Sequence, residues 1–150
     1  MIHIYIFADS LKQFNDPVKE YEKRLGKTIC ITKLKPVKKW TPAQIISAET
    51  DIIIDKLAGQ NAYKVVLSPG WKSLNTFEFH KLIEDNKQIY PNTIFCIGWA
   101  YGLDYTRLSA HIHLQISLSG FIVPHGLALT IILEQVYRAG MIEKWSDYHK

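Results

Sequence analysis

The sequence predicts an α/β fold, with a mainly parallel sheet and helices on both faces, and three observations carry that prediction. Short apolar runs recur at residues 2–7, 28–34, 63–67, 93–97 and 114–118. Helical stretches, with apolar residues spaced along one face, alternate with the first four runs, and a final helix follows the fifth. The runs ending at Leu67, Ile97 and Leu118 each stop at a loop of glycine, serine or proline, and such sheets bind ligands at their strand ends.

In chain order, Ile2, Ile4 and Ile6 alternate with His3, Tyr5 and Phe7, which gives a first strand ending at Ala8-Asp9-Ser10. Asp16-Pro17 opens a helix with the acid as N-cap, Phe14, Val18, Tyr21 and Leu25 share its apolar face, and Gly26 closes it. Residues 28–34 are β-branched and short, a second strand, and the basic loop 35–40 follows. Thr41-Pro42-Ala43-Gln44 is a capping box starting a helix to about Leu57, with Ile45, Ile46, Ile52, Ile53 and Leu57 inward. Residues 63–67 form the third strand, which ends at the turn signal Ser68-Pro69-Gly70-Trp71. A second capping box, Asn75 to Glu78, starts a helix that buries Phe79, Leu82 and Ile83. Strands at 93–97 and 114–118 and a helix from about Leu127 to Met141 complete the order.

A chain of 150 residues with 47% hydrophobic and 21% charged residues suits one domain, residues 1–150, with its own core. The net charge of +4 favours phosphate-bearing partners only weakly, but Lys33, Lys35, Lys38 and Lys39 crowd together beside Trp40. That cluster reads either as a phosphate-contacting loop or as a solvated one. Cys30 and Cys96 each sit in a strand-like apolar run and are expected to be free, buried thiols. With no signal-peptide pattern and no apolar run near the ~20 residues of a membrane span, the expectation is a cytoplasmic protein with no membrane partner.

The glycine loop Gly98-Trp99-Ala100-Tyr101-Gly102 has neither the dinucleotide spacing nor the Gly-Lys-Ser/Thr of a phosphate-binding loop. Ser117, Ser119 and His125 lack the strand-turn-helix elbow of a serine hydrolase. His111 and His113 have no Cys, Asp or Glu at ligand spacing, so no metal is expected.

The motifs Ser117-Leu118-Ser119, Val123-Pro124-His125, Glu134-Gln135-Val136-Tyr137-Arg138-Ala139 and Tyr148-His149-Lys150, in this order and spacing, resemble the RlmH family of SPOUT RNA methyltransferases. The resemblance extends through Ile97-Gly98, Gly102-Leu103, the helix start at residues 74–79 and Tyr21-Glu22-Lys23-Arg24-Leu25, and so covers essentially the whole chain. It implies a SPOUT α/β knot, in which the C-terminal helix threads a loop to make a trefoil, and a homodimer with sites near its interface. It also implies an S-adenosylmethionine-dependent enzyme that methylates N3 of a pseudouridine in large-subunit (23S) rRNA within the assembled ribosome. Carried over by motif, the cofactor wall comprises Leu67, Gly98, Trp99, Gly102, Ser119, Gly120, Phe121, Ile122, Val123 and Pro124. Arg138, Tyr148 and His149 face the RNA as catalytic candidates, although Arg138 has Glu134 one helical turn away as an alternative partner.

Three positions depart from the family pattern. Trp99 stands where the first loop has a second glycine, Ser68 where an aspartate follows the third strand, and Leu129 where an arginine follows the Pro-His motif. They keep open a second expectation, a catalytically impaired ribosome- or RNA-binding relative whose indole fills the site. A more distant third reading is a generic nucleotide-binding α/β domain.

Overall fold

Two parallel neighbours flank the first strand, β1 (Ile2–Phe7): β2 (Ile29–Leu34) on one edge and β4 (Asn92–Ile97) on the other. β3 (Ala62–Leu67) and β5 (Leu114–Ile116) extend the sheet in the order β2-β1-β4-β3-β5, every pair parallel. This is a computed structural model, and it describes residues 1–144.

Both faces of the sheet are covered, as parallel sheets require. Ile2, Ile4, Ile6, Val65, Phe95 and Ile97 point to the first face. There they pack with α1 (Asn15–Leu25), α3 (Thr76–Lys87) and α5 (His125–Glu143). Tyr5, Phe7, Val66, Ile94 and Cys96 point to the second, under α2 (Pro42–Leu57) and the short α4 (Tyr105–Leu108). The alternation in β1 therefore separates two buried faces rather than a core face from a wet one.

Both expected capping boxes form: Thr41 with Gln44 opens α2, and Asn75 with Glu78 opens α3. The apolar side of α2 includes two polar residues that are fully buried, Glu49 and Thr50. Asp16 is not an N-cap. A 3₁₀ turn at Lys12–Phe14 feeds directly into α1, so Phe14 occupies the cap position and Asp16 and Pro17 fall inside the first turn, where proline is tolerated. Cys96 is buried as expected, but Cys30 is exposed, because β2 is the sheet edge and Cys30 lies outside both core clusters.

β5 is shorter than its apolar run, and the reason lies in one peptide unit. The carbonyl of Ile116 accepts from the Ser68 N–H at 2.8 Å, whereas the N–H of Ser117 donates to the Lys72 carbonyl at 3.0 Å. In a trans peptide these two groups point in opposite directions. Residues 68–72 therefore arch over the end of β5 from one edge to the other, and Ser73 bridges Ser117 on the far side. The arch takes over the ladder from β3 at this point.

Candidate functional site

Because β4, β3 and β5 are neighbours, the loops after Leu67, Ile97 and Ile116 open at one end of the sheet. The loop after β4 is folded tightly on itself. A Cβ at Gly98 would come within 3.1 Å of the Leu103 side chain and 3.3 Å of the Gly102 backbone. Gly102 donates its N–H to the Trp99 carbonyl at 2.9 Å and holds a φ of +75°, a conformation that favours glycine. These two glycines serve the turn itself.

Two side chains tie this loop to its neighbours. The Tyr105 hydroxyl, presented by the first residue of α4, lies close to Ser68, which is 4% exposed at the start of the β3 loop. Burial pushes the Tyr105 pKa up, against the smaller effects of the Leu103 backbone and the Ser68 side chain. Trp99 is half-buried and packs against both core clusters. Its indole lies 4.3 Å, centroid to centroid, from the imidazole of His125, the first residue of α5. Burial, with a smaller contribution from the Lys12 charge, lowers the pKa of His125. Trp99 thus occupies the space between the glycine loop and the helix that follows the third loop.

The third loop is organised by serines. Ser117 Oγ donates to the Ser119 carbonyl at 2.6 Å, and Ser119 Oγ accepts from the Phe121 N–H at 3.0 Å. A Cβ at Gly120 would meet nothing within 4 Å, and Phe121 and Ile122 are 84% and 90% exposed. The loop is therefore an ordered stretch of backbone with open flanks and apolar side chains.

Leu67, Gly98, Trp99, Gly102 and residues 119–124 are thus brought to one end of the sheet, with Leu67 a core side chain that contributes through its backbone position. Arg138 is not with them. It lies thirteen residues along α5 from His125, about 20 Å away at 1.5 Å per residue. There its guanidinium pairs with Glu134 at 2.7 Å and 2.8 Å. The same half of α5 lines a groove of about 510 Å³ with Met1 and with Ile2, the first residue of β1, at the opposite end of the sheet. Tyr148 and His149 lie outside the described residues. Leu129 is fully buried in the first core, so this departure from the family pattern is a packing residue.

His113 is committed to other partners than a metal. Its Nδ1 accepts from the Lys64 N–H at 3.0 Å, and its Nε2 lies 3.2 Å from the Tyr90 hydroxyl. Among the described residues no group of three His, Cys, Asp or Glu could hold a metal ion, and no helix is long and apolar enough to cross a membrane. Nothing in the sequence singles out Tyr105, because α4 is too short to show a period. Its one signal is Asp104, whose side chain accepts from the Arg107 N–H as an N-cap.

Comparison with known proteins agrees with the architecture. The family described as "Predicted SPOUT methyltransferase" matches residues 1–149. The protein named ribosomal RNA large subunit methyltransferase H from Streptococcus uberis is 31% identical over 147 residues, covering 93% of this chain and 92% of its own. Relatives of the same name from Streptococcus equi subsp. zooepidemicus and Clostridium beijerinckii are 33% and 32% identical. The first match covers 90% of this chain and 89% of the relative, the second 93% and 92%.

Proposed function

The chain belongs to the RlmH family of SPOUT methyltransferases, and from that premise we propose that it is an S-adenosylmethionine-dependent large-subunit rRNA methyltransferase acting on N3 of a pseudouridine in the assembled ribosome. The proposal includes a single cytoplasmic SPOUT domain, a C-terminal trefoil knot and a homodimer. The observation that carries it is the convergence of three ordered loops, after β3, β4 and β5, at one end of a parallel sheet.

The arch of residues 68–72 around the Ile116–Ser117 peptide supports the knot, since the chain leading into α5 leaves β5 beneath it. The separation of Arg138 from the loops supports the dimer. A group about 20 Å away in its own chain can serve a site only if a second copy brings it there.

The residues present fit the cofactor. The open backbone at Gly120 and the neighbouring apolar side chains would take the adenosine, and the turn built on Gly98 and Gly102 would close the opposite side. When bound, the cofactor supplies an electrophilic methyl group on a sulfonium. The protein's own work is then to hold the pyrimidine nitrogen in line with that methyl, and positioning alone can supply most of the acceleration. The nitrogen must also lose its proton, for which His149 is the candidate base and Arg138 the candidate cation stabilising the resulting anion.

Trp99 supports one competing reading, a ribosome-binding relative that does not bind the cofactor, because its indole fills the gap beside His125. Titration calorimetry with S-adenosylmethionine separates the two. Saturable heat from the unaltered protein supports the enzyme. No heat at millimolar cofactor, with binding gained by Trp99→Gly, supports the alternative.

A further inference from the structure

Five loops lie in a row along the carboxyl end of the sheet, in the order of their strands, and their charge is one-sided. They carry Lys12, Lys35, Lys38, Lys39 and Lys72 against only Asp9 and Asp104. Neither acid is left over: Asp9 pairs with Lys38, and the Asp104 carboxylate caps α4. Aromatic side chains stand between the lysines, with Trp40, Trp71 and Tyr101 each more than half exposed.

The loop after β2 is the most built of the five. Pro36 is buried, and the Val37 N–H donates at 3.1 Å to a carboxylate oxygen of Glu49, a residue fully buried inside α2. That carboxylate's other oxygen has no hydrogen-bond partner. The centre of the loop is therefore pinned to the body of the protein, while Lys35, Lys38, Lys39 and Trp40 point outward. Among the described residues no ion pair neutralises Lys35 or Lys39. A pinned loop that turns cations and one indole to solvent is preorganised for a polyanion with flat bases.

From this geometry we infer that the β2–α2 loop is a second RNA-contact surface, on which Lys35 and Lys39 hold phosphates and Trp40 stacks an unpaired base of a single-stranded segment flanking the methylated nucleotide. β2 lies two strands from β4, about 10 Å at ordinary strand spacing. A strand of RNA that reaches the three cofactor loops can therefore continue over Lys12 to this loop. Glu49 is a positioning residue, acting only through the Val37 backbone.

The inference rests on the rRNA-methyltransferase reading for its class of partner. Its test uses the unaltered protein and three measurements: S-adenosylmethionine binding, methyl transfer to assembled ribosomes, and binding to those ribosomes and to a single-stranded RNA oligonucleotide across a salt series. Lys35→Glu/Lys39→Glu should leave cofactor binding unchanged and weaken both RNA ligands at least tenfold. It should also flatten the salt slope by about 1.4, the value for two single-strand phosphate contacts. Trp40→Ala should weaken binding with the slope unchanged. Glu49→Ala should weaken it as well, while Glu49→Gln, whose amide oxygen still accepts from Val37, should not.

Wild-type affinity and slope in the double-charge variant would overturn the inference. Binding lost on ribosomes but kept on the oligonucleotide would overturn it in favour of a ribosomal protein as partner. If the unaltered protein binds RNA as predicted but transfers no methyl, the enzymatic reading fails and this surface stands. If it binds neither RNA, both fail.

Discussion

Trp99 and His125 join the loop after β4 to the start of α5, their rings 4.3 Å apart and inclined by 47°. The indole reaches both core clusters as well, so it has structural duties on either face of the sheet.

Replacing Trp99 by glycine should therefore cost stability and gain nothing in binding. Truncating a large buried aromatic side chain costs about 3–5 kcal/mol, and a half-buried one should fall at or below the lower end of that range. Chemical denaturation measures the first effect and calorimetry with S-adenosylmethionine the second. Tighter cofactor binding by the variant would identify the indole as an obstruction.

The hydroxyl of Tyr105 reaches Ser68 across the gap between the β4 and β3 loops. Tyr105→Phe leaves the ring in place and removes the polar contact with buried Ser68, a loss of at most about 1 kcal/mol. Where that contact positions the loop, the loss appears as weaker cofactor binding, at most about fivefold in Kd. An unchanged Kd would restrict the contact to a stabilising role.

Close approach of α5 to the 3₁₀ turn makes Gly126 intolerant of a methyl group. A Cβ there would sit 2.5 Å from the Phe14 ring and 3.2 Å from the Phe14 Cβ. Alanine gains about 1 kcal/mol in helix propensity but overpacking costs about 1–3 kcal/mol, so Gly126→Ala should be net destabilising. A lowered Tm with retained folding checks this.

Burial raises the pKa of Glu49, and its hydrogen bond to Val37 only partly offsets the rise. A carboxyl raised in the folded state contributes stability that is complete below its unfolded pKa and is lost as pH climbs through the folded value. Glu49→Gln should therefore stabilise the protein at neutral and alkaline pH relative to the unaltered chain. The two stabilities should converge toward pH 4, which denaturation midpoints across a pH series will measure.

The legible parts of the sequence were those in which a local interaction decides the structure. Thr41 with Gln44 and Asn75 with Glu78 satisfy helix-end donors within four residues, and both boxes form as read. The adjacency of the three site loops followed from alternation only conditionally, because strand order depends on long-range pairing. The end of β5 could not be read, since Ser117 leaves the strand to meet the Lys72 carbonyl, 45 positions earlier in the chain. α4 is a single turn, too short for periodicity. Glu49 was visible in principle, because Ile45, Glu49, Ile53 and Leu57 are spaced four apart on one stripe of α2. A carboxylate inside an apolar stripe is the pattern to look for. Arg138 shows the opposite limit, since its motif assigns a role that its own chain's geometry does not bring to the loops.

The most direct test is mass-spectrometric mapping of large-subunit rRNA after incubating the purified protein and S-adenosylmethionine with ribosomes from a strain lacking its homologue. One added methyl group on a pseudouridine, dependent on the protein, is the predicted result. Unmodified rRNA under conditions in which the protein demonstrably binds the ribosome would contradict the enzymatic account.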